Sequence, residues 1–252
     1  LERHRGMTQP KDILSSGCDG VLLLQGKDAR YVAEFAKESV PLVVVDNYNL
    51  QVPLDYVVCD SPAAARTIVE HLSELGHRKL AYFGSHVAIE GGSADMARIN
   101  NSDAVERFET TRDACRELDL ELEPNVYFSG RRALVPRANP KHLVAVLRND
   151  PDAFSAVVAD SDGTARGLLS AFAAAGFRVP EDVSVAAVAG SDLGNPVAAP
   201  LTYCRINFPQ MGLVALETLE RRGRSPRPDE PNIIRVGYEF VRGATTGPPR
   251  RS

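Results

Sequence analysis

The sequence predicts an α/β fold built twice over, as two Rossmann-like lobes that each carry a parallel sheet. Two observations predict it. Short apolar runs alternate with amphipathic helical patterns along the chain, the pattern of parallel strands joined by crossover helices. The chain also matches itself: VVCDSPAAAR at 57–66 and VVADSDGTAR at 157–166 agree without a gap at Val57/Val157, Val58/Val158, Asp60/Asp160, Ser61/Ser161, Ala65/Ala165 and Arg66/Arg166, and again at Gly76/Gly176. Each copy reads as a strand ending in Asp-Ser, where the serine can cap an amphipathic helix closed by glycine; the alternative to duplication is two ordinary βα turns with capping residues.

The elements follow in order. VLLL at 21–24 is a strand, YVAEFAKES a helix, and PLVVVD at 41–46 the next strand. YVVCD at 56–60 is a strand feeding the helix that ends in VEHLSELG, and KLAYFG at 79–84 is buried strand again. ERFETTRDACRELDL and PKHLVAVLRND are helices, NVYFSG, FSAVVAD and DVSVAAVAG strands. PQMGLVALETLERRG is a helix with Gly223 at its stop, and IIRVGYEFVRG is a closing strand. The loops 85–103 and 190–200 are long and without period; loops of this length either cover a site or are disordered. Between a helix and a strand lies the basic turn His77-Arg78-Lys79. Taken alone it assigns no function, because many α/β units place cations where a helix ends; Gly76 can supply the reversed backbone there, and Arg78 and Lys79 can complement the helix carbonyls.

Composition excludes several classes. At 252 residues with 44% hydrophobic side chains, the chain buries a substantial core. No apolar run reaches the roughly 18 residues of a membrane helix, and the opening LERHRGMTQPKD has no secretory pattern, so the expected location is the cytoplasm. Cys18, Cys59, Cys115 and Cys204 are far apart, which fits buried thiols rather than disulfides or zinc ligands. A net charge of -4 argues against this chain itself gripping nucleic acid. No dinucleotide fingerprint, phosphate-binding loop, nucleophile elbow or metal-spaced His/Cys/Asp set is present, so the reading is no enzyme, no cofactor, no metal and no catalytic residue.

The phrases CDGVLLL, VPLVVVDN, EHLSELGHRKLAYFG, ERFETTRDACREL, GFRVPEDVSVAAV, PLTYCRINFPQMG and FVRGATT, in this order, resemble the effector-binding domain of the lac-repressor/galactose-repressor (LacI/GalR) family of bacterial transcription regulators. The resemblance implies a periplasmic binding protein-like fold of type I with a hinge. It places residues 1–84 and 207–230 in the N-terminal lobe, 85–206 and 231–246 in the C-terminal lobe, and 247–252 in a tail. It also implies that the first strand and helix of the first lobe, and the helix-turn-helix that reads DNA, are not in this sequence. Implied partners are a sugar or sugar-like effector in the interlobe cleft, a second copy in a homodimer, and operator DNA through that helix-turn-helix.

The resemblance also carries site residues. Asp60 matches a ligand-binding Asp at a strand end, competing with a cap for the helix that follows. Arg107 matches a ligand-contacting Arg, whose planar fork suits hydroxyl and carboxylate oxygens. Ser161 stands where an Asn is usual, with Asp162 beside it, and so offers one hydroxyl in place of an amide. An Asp pair would fall at Ala189 and Gly190; the acids that can compensate are Asp160 and Asp192. Tyr48, in DNYN at the rim, offers a ring for stacking. These departures imply an effector unlike a simple galactoside. The rival readings are a solute-binding protein of a sugar transport system, which requires an export signal, and an α/β enzyme.

Overall fold

The computed structural model describes residues 10, 13, 15, 17–24, 29–37, 40–85, 102–123, 127–129, 140–191, 200–225 and 228–250. The chain forms two compact units: one takes the chain up to Cys59 and Phe208–Val236, the other Asp60–Ala97, Asp103–Asn207 and Gly237–Ser252.

In the first unit, β1 (Val21–Leu24), β2 (Leu42–Val45), β3 (Asp55–Cys59) and β10 (Asn232–Val236) form one parallel sheet in the order β1-β2-β3-β10. The helices α1 (Ala29–Phe35) and α6 (Phe208–Arg222) belong to this unit, and α6 packs on β2 and β3. β2 and β3 are buried at every position, as central parallel strands are. Val32, Phe35, Leu42, Val44, Leu54, Tyr56 and Val58 fill the core. A buried carboxylate closes the unit. Asp55, 1% exposed, accepts a bidentate pair from Arg222 at 2.7 and 2.9 Å and a third hydrogen bond from Asn232 Nδ2 at 2.7 Å.

The second unit holds a larger sheet. Its strands are β4 (Lys79–Ser85), β5 (Glu121–Leu122), β6 (Tyr127–Ser129), β7 (Ala156–Ala159), β8 (Ser184–Gly190), β9 (Thr202–Ile206) and β11 (Tyr238–Val241). The order is β11-β9-β8-β7-β4-β5, with β6 also paired to β4, and every pair is parallel except β11 with β9. Two-residue alternation along the strands builds a core on each face. Leu80, Tyr82, Ala156, Val158, Ala186 and Val188 pack with α2 (Ser61–Glu74) and α3 (Ser102–Glu117). On the other face, Ala81, Phe83, Val157, Ala159, Val185 and Ala187 pack with α4 (Pro140–Asn149) and α5 (Asp162–Ala174).

The expected lobe boundaries require correction. KLAYFG, placed in the first lobe, is β4 and pairs with β7 in the register Leu80↔Ala156 to Phe83↔Ala159. The preceding helix α2 packs against β8 and likewise belongs to the second unit. The single closing strand is two strands broken at Gly237: β10 completes the first sheet beside β3, and β11 runs antiparallel to β9 in the second.

The repeat is structural at the C-terminal ends of its helices. α2 and α5 both end in the same reversed cap: His77 N donates to Leu72 O and Gly76 N to Ser73 O, as Phe177 N does to Phe172 O and Gly176 N to Ala173 O. Gly76 and Gly176 have φ of 98° and 85°. The N-terminal ends differ. Asp60 caps α2, accepting from Ala63 N at 3.2 Å, whereas Ser161 caps α5, accepting from Thr164 N at 3.3 Å. The serine cap expected in both copies is therefore present only in the second. Among the described residues, no helix is long and apolar enough to cross a membrane.

Candidate functional site

Strand tips of the second unit gather polar side chains against a backbone that admits no extra bulk. β7 runs into Asp160, whose N–H continues the ladder to Phe83 O at 3.1 Å and which is 2% exposed. Ser161 donates to Asp160 Oδ1 at 3.1 Å; with that proton committed, the Thr164 hydroxyl donates to Ser161 Oγ across 2.9 Å. Asp162, in the first turn of α5, accepts from Arg166 at 3.1 Å and from Ser191 N at 3.4 Å. These bonds hold its carboxylate between a helix and the end of β8.

Arg107 joins the two Asp-Ser corners. From α3 its Nε donates to Ser61 Oγ at 3.2 Å, its Nη1 to the Asp160 carbonyl at 3.2 Å, and its Nη2 faces Asp103 Oδ2 at 3.1 Å. The planar fork is thereby fixed in direction, as a buried guanidinium must be if its charge is to be tolerated. The neighbouring Tyr82 registers the same charges. Its buried phenol is pushed well above its ordinary range, first by desolvation and then by the Asp160 charge, with Arg107 acting in the opposite sense.

Glycines set the floor. A Cβ on Gly84 would lie 2.8 Å from Tyr82 Cε1 and 3.1 Å from Asp160 Cβ, and one on Gly190 would lie 2.5 Å from the Tyr203 ring. No aspartate can stand at position 190 while Tyr203 keeps its place, so the second of the two expected Asp positions is closed to a side chain.

Of the residues expected from sequence, the structure thus brings together Arg107, Asp160, Ser161 and Asp162, with Asp60 one residue from Ser61. Tyr48 differs from expectation. It belongs to the first unit and is buried to 5% exposure in that unit's own core, edge-on to Tyr56 at 6.4 Å with Arg235 5.9 Å over its ring, so it offers no open face for stacking. Asp192 and most of the two long loops lie outside the described residues. Sequence reasoning did not single out Ser61 and Asp103 as partners of Arg107; the i,i+4 spacing of Asp103 and Arg107 is the signal that finds the second.

A family model described as a periplasmic binding protein-like domain matches residues 69–246. The chain belongs to that family. The periplasmic binding protein-like domain here is 28% identical over 252 residues to the HTH-type transcriptional regulator MalR of Streptomyces coelicolor, covering 94% of this chain and 67% of that protein. A LacI family transcriptional regulator of Mycobacterium smegmatis superposes with a TM-score of 0.73 at 26% identity, over 98% of this chain and 85% of that one. A complex of the transcriptional regulator CelR with cellobiose has the same fold, with a TM-score of 0.72 at 24% identity over 94% of this chain and 68% of that one. The relatives are LacI-type regulators, as the sequence resemblance implied. The chain spans about two thirds of the length of the curated relatives it matches.

Proposed function

We propose that this domain senses a small hydroxyl-rich effector for a DNA-binding transcription regulator that works as a cytoplasmic homodimer, with operator DNA held by a helix-turn-helix domain. Asp60, Asp162 and Asp160 supply hydroxyl acceptors, Ser161 fixes the Asp160 carboxylate, and Arg107 supplies directed donors. The observation that carries this reading is the Arg107 guanidinium tying both Asp-Ser corners, which sets oxygen and nitrogen groups of α2, α3, β7 and α5 in fixed directions at one place. The relatives favour a regulator over a transport protein, and the cellobiose bound by CelR is the kind of molecule such groups recognise. Bound effector stabilises one arrangement of the domain over another and so couples to DNA affinity, at about 1 to 3 kcal/mol for such systems.

The test is calorimetry against mono- and disaccharides, first located by thermal shift. Arg107→Ala is expected to weaken the effector by tenfold to a hundredfold, the loss of roughly 1.5 to 3 kcal/mol of charged hydrogen bonding. Unchanged affinity removes Arg107 from the site.

A further inference from the structure

The tip of β8 is built around an aromatic ring. From Ala187 to Gly190, β8 advances three residues while β9 advances two, from Tyr203 to Arg205, so the pair carries a bulge. Side chains alternate faces along a strand, and the extra residue therefore turns position 190 onto the face that carries Ala187 and Tyr203. There the Tyr203 ring, 8% exposed, fills the room of a side chain. A Cβ at position 190 would lie 2.5 Å from Cδ2 and 3.0 Å from Cε2 of that ring, and 3.1 Å from Asp162 Cβ. The backbone at Gly190 is not left-handed, so close approach rather than conformation requires the glycine.

The ring and Asp162 close on the same point, and the next residue binds the carboxylate: Ser191 N donates to Asp162 Oδ2 at 3.4 Å. The Arg166 that also reaches Oδ2, at 3.1 Å, comes from the same helix as Asp162. It is the Ser191 bond that ties this carboxylate to the strand tip. Where the tip stands is in turn set by the bulge lying on the Tyr203 ring.

We infer that Tyr203 is a positioning residue for the effector: through the glycine tip of β8 it fixes where the Asp162 carboxylate stands. This rests on the sensing role proposed above and deepens it. Removing the ring leaves a void under the tip, into which the bulge and the Ser191 amide can shift, and a displaced acceptor loses the geometry of its hydrogen bond to a ligand.

The experiment has two arms, and the first needs no ligand. Gly190→Ala is expected to lower Tm by about 5 °C, as overpacking a filled site does. In a Tyr203→Val background, where the ring is gone and a strand-forming residue remains, the same change is expected to cost no more than about 1 °C. Equal losses in the two backgrounds overturn the packing of position 190 against the ring, whatever the effector.

The second arm is calorimetry with glucose, ribose and cellobiose on the wild type, Tyr203→Phe, Tyr203→Val, Asp162→Ala and the Tyr203→Val/Asp162→Ala double variant. Tyr203→Val is expected to weaken the sugar that the wild type binds about tenfold, while Tyr203→Phe, which keeps the ring and folds without a void, stays within about twofold. Once Asp162 is replaced, Tyr203→Val is expected to cost nothing further, a coupling that a general loss of stability does not produce. Additive losses, or a Tyr203→Phe variant as weak as Tyr203→Val, overturn the inference and leave the sensing role intact. Silence of the wild type toward all three sugars overturns the sensing of sugars and the positioning role with it, while the Tm arm still reads the packing by itself.

Discussion

His77 has no exposed surface, yet it sits in the turn that the sequence marks as basic. Its Nε2 lies 2.9 Å from Gly247 O, which can only accept, so Nε2 carries the proton and Nδ1 accepts from Ser155 Oγ at 2.8 Å. One turn earlier, buried His71 lies 3.0 Å from Thr246 Oγ1. Together these imidazoles fasten the segment after β11. Burial lowers the pKa of both, helped at His71 by Arg242 and at His77 by His71 itself. A His with a depressed folded value is neutral in the fold and takes up a proton on unfolding. Its contribution is therefore fully present above the unfolded pKa of about 6.5 and is lost as pH falls through the folded values. Urea midpoints are expected to fall between pH 7.5 and pH 5, and His77→Gln, which keeps a donor toward Gly247, is expected to flatten that slope. A midpoint independent of pH in the wild type refutes the linkage. The structural role of the turn was legible in the sequence, and Arg78 does reach the Ser73 carbonyl at 3.4 Å. The His77 partners were not legible, because Ser155 and Gly247 are remote in the chain. Nor was the burial of Tyr48, since a loop tyrosine is covered or exposed according to which side chains fold over it.

At the scale of elements, the self-match was the most informative signal, and its glycines explain why. Gly76 and Gly176 occupy the left-handed position of the same reversed cap, which a Cβ disfavours by about 1 to 2 kcal/mol. Among the described residues, no atom lies within 4 Å of a Cβ placed at Gly176, and Pro249 alone approaches one at Gly76, at 3.6 Å, so conformation rather than packing sets the cost. Gly76→Ala and Gly176→Ala are expected to lower unfolding free energy by similar amounts, about 1 to 2 kcal/mol each, by chemical denaturation. A loss at one position and none at the other would show that the two caps are not equivalent. The N-terminal corners were legible only in part. Asp-Ser signals a cap in both copies, but whether Asp or Ser accepts the helix N–H depends on where the first helical residue falls. In α2 the helix starts at Ser61, leaving its hydroxyl to Arg107; in α5 it starts one residue later in the repeat, and Ser161 does the capping. That one-residue offset makes one corner a docking point for the guanidinium and the other a source of acceptors.

For the molecule as a whole, the periodicity read from sequence established two sheets but not which strands each would take. An apolar run such as KLAYFG demands cover on both faces and neighbours on both edges; it does not say whose. Pairing with β7 decides it, and the Asp55 cluster shows how the first unit closes without that strand. Asp55 at the start of β3 gathers Arg222 from the end of α6 and Asn232 from the start of β10, tying segments far apart in sequence into one sheet. Arg222 is itself largely buried, with 15% side-chain exposure, so removing the carboxylate takes away a bidentate acceptor that little water can replace. Breaking such a pair from one side costs about 3 to 5 kcal/mol, far more than an exposed ion pair is worth. Asp55→Ala is therefore expected to destabilise the first unit by that amount, and Asp55→Asn by less, since an amide oxygen still accepts from Arg222. Amide hydrogen exchange gives the decisive readout: protection should fall in β2, β3 and β10, whose ladders depend on the cluster, while β7 and β8 keep theirs because their cores contain none of its residues. Equal losses in both sheets would mean that the chain opens as one body and that Asp55 does not close a unit of its own.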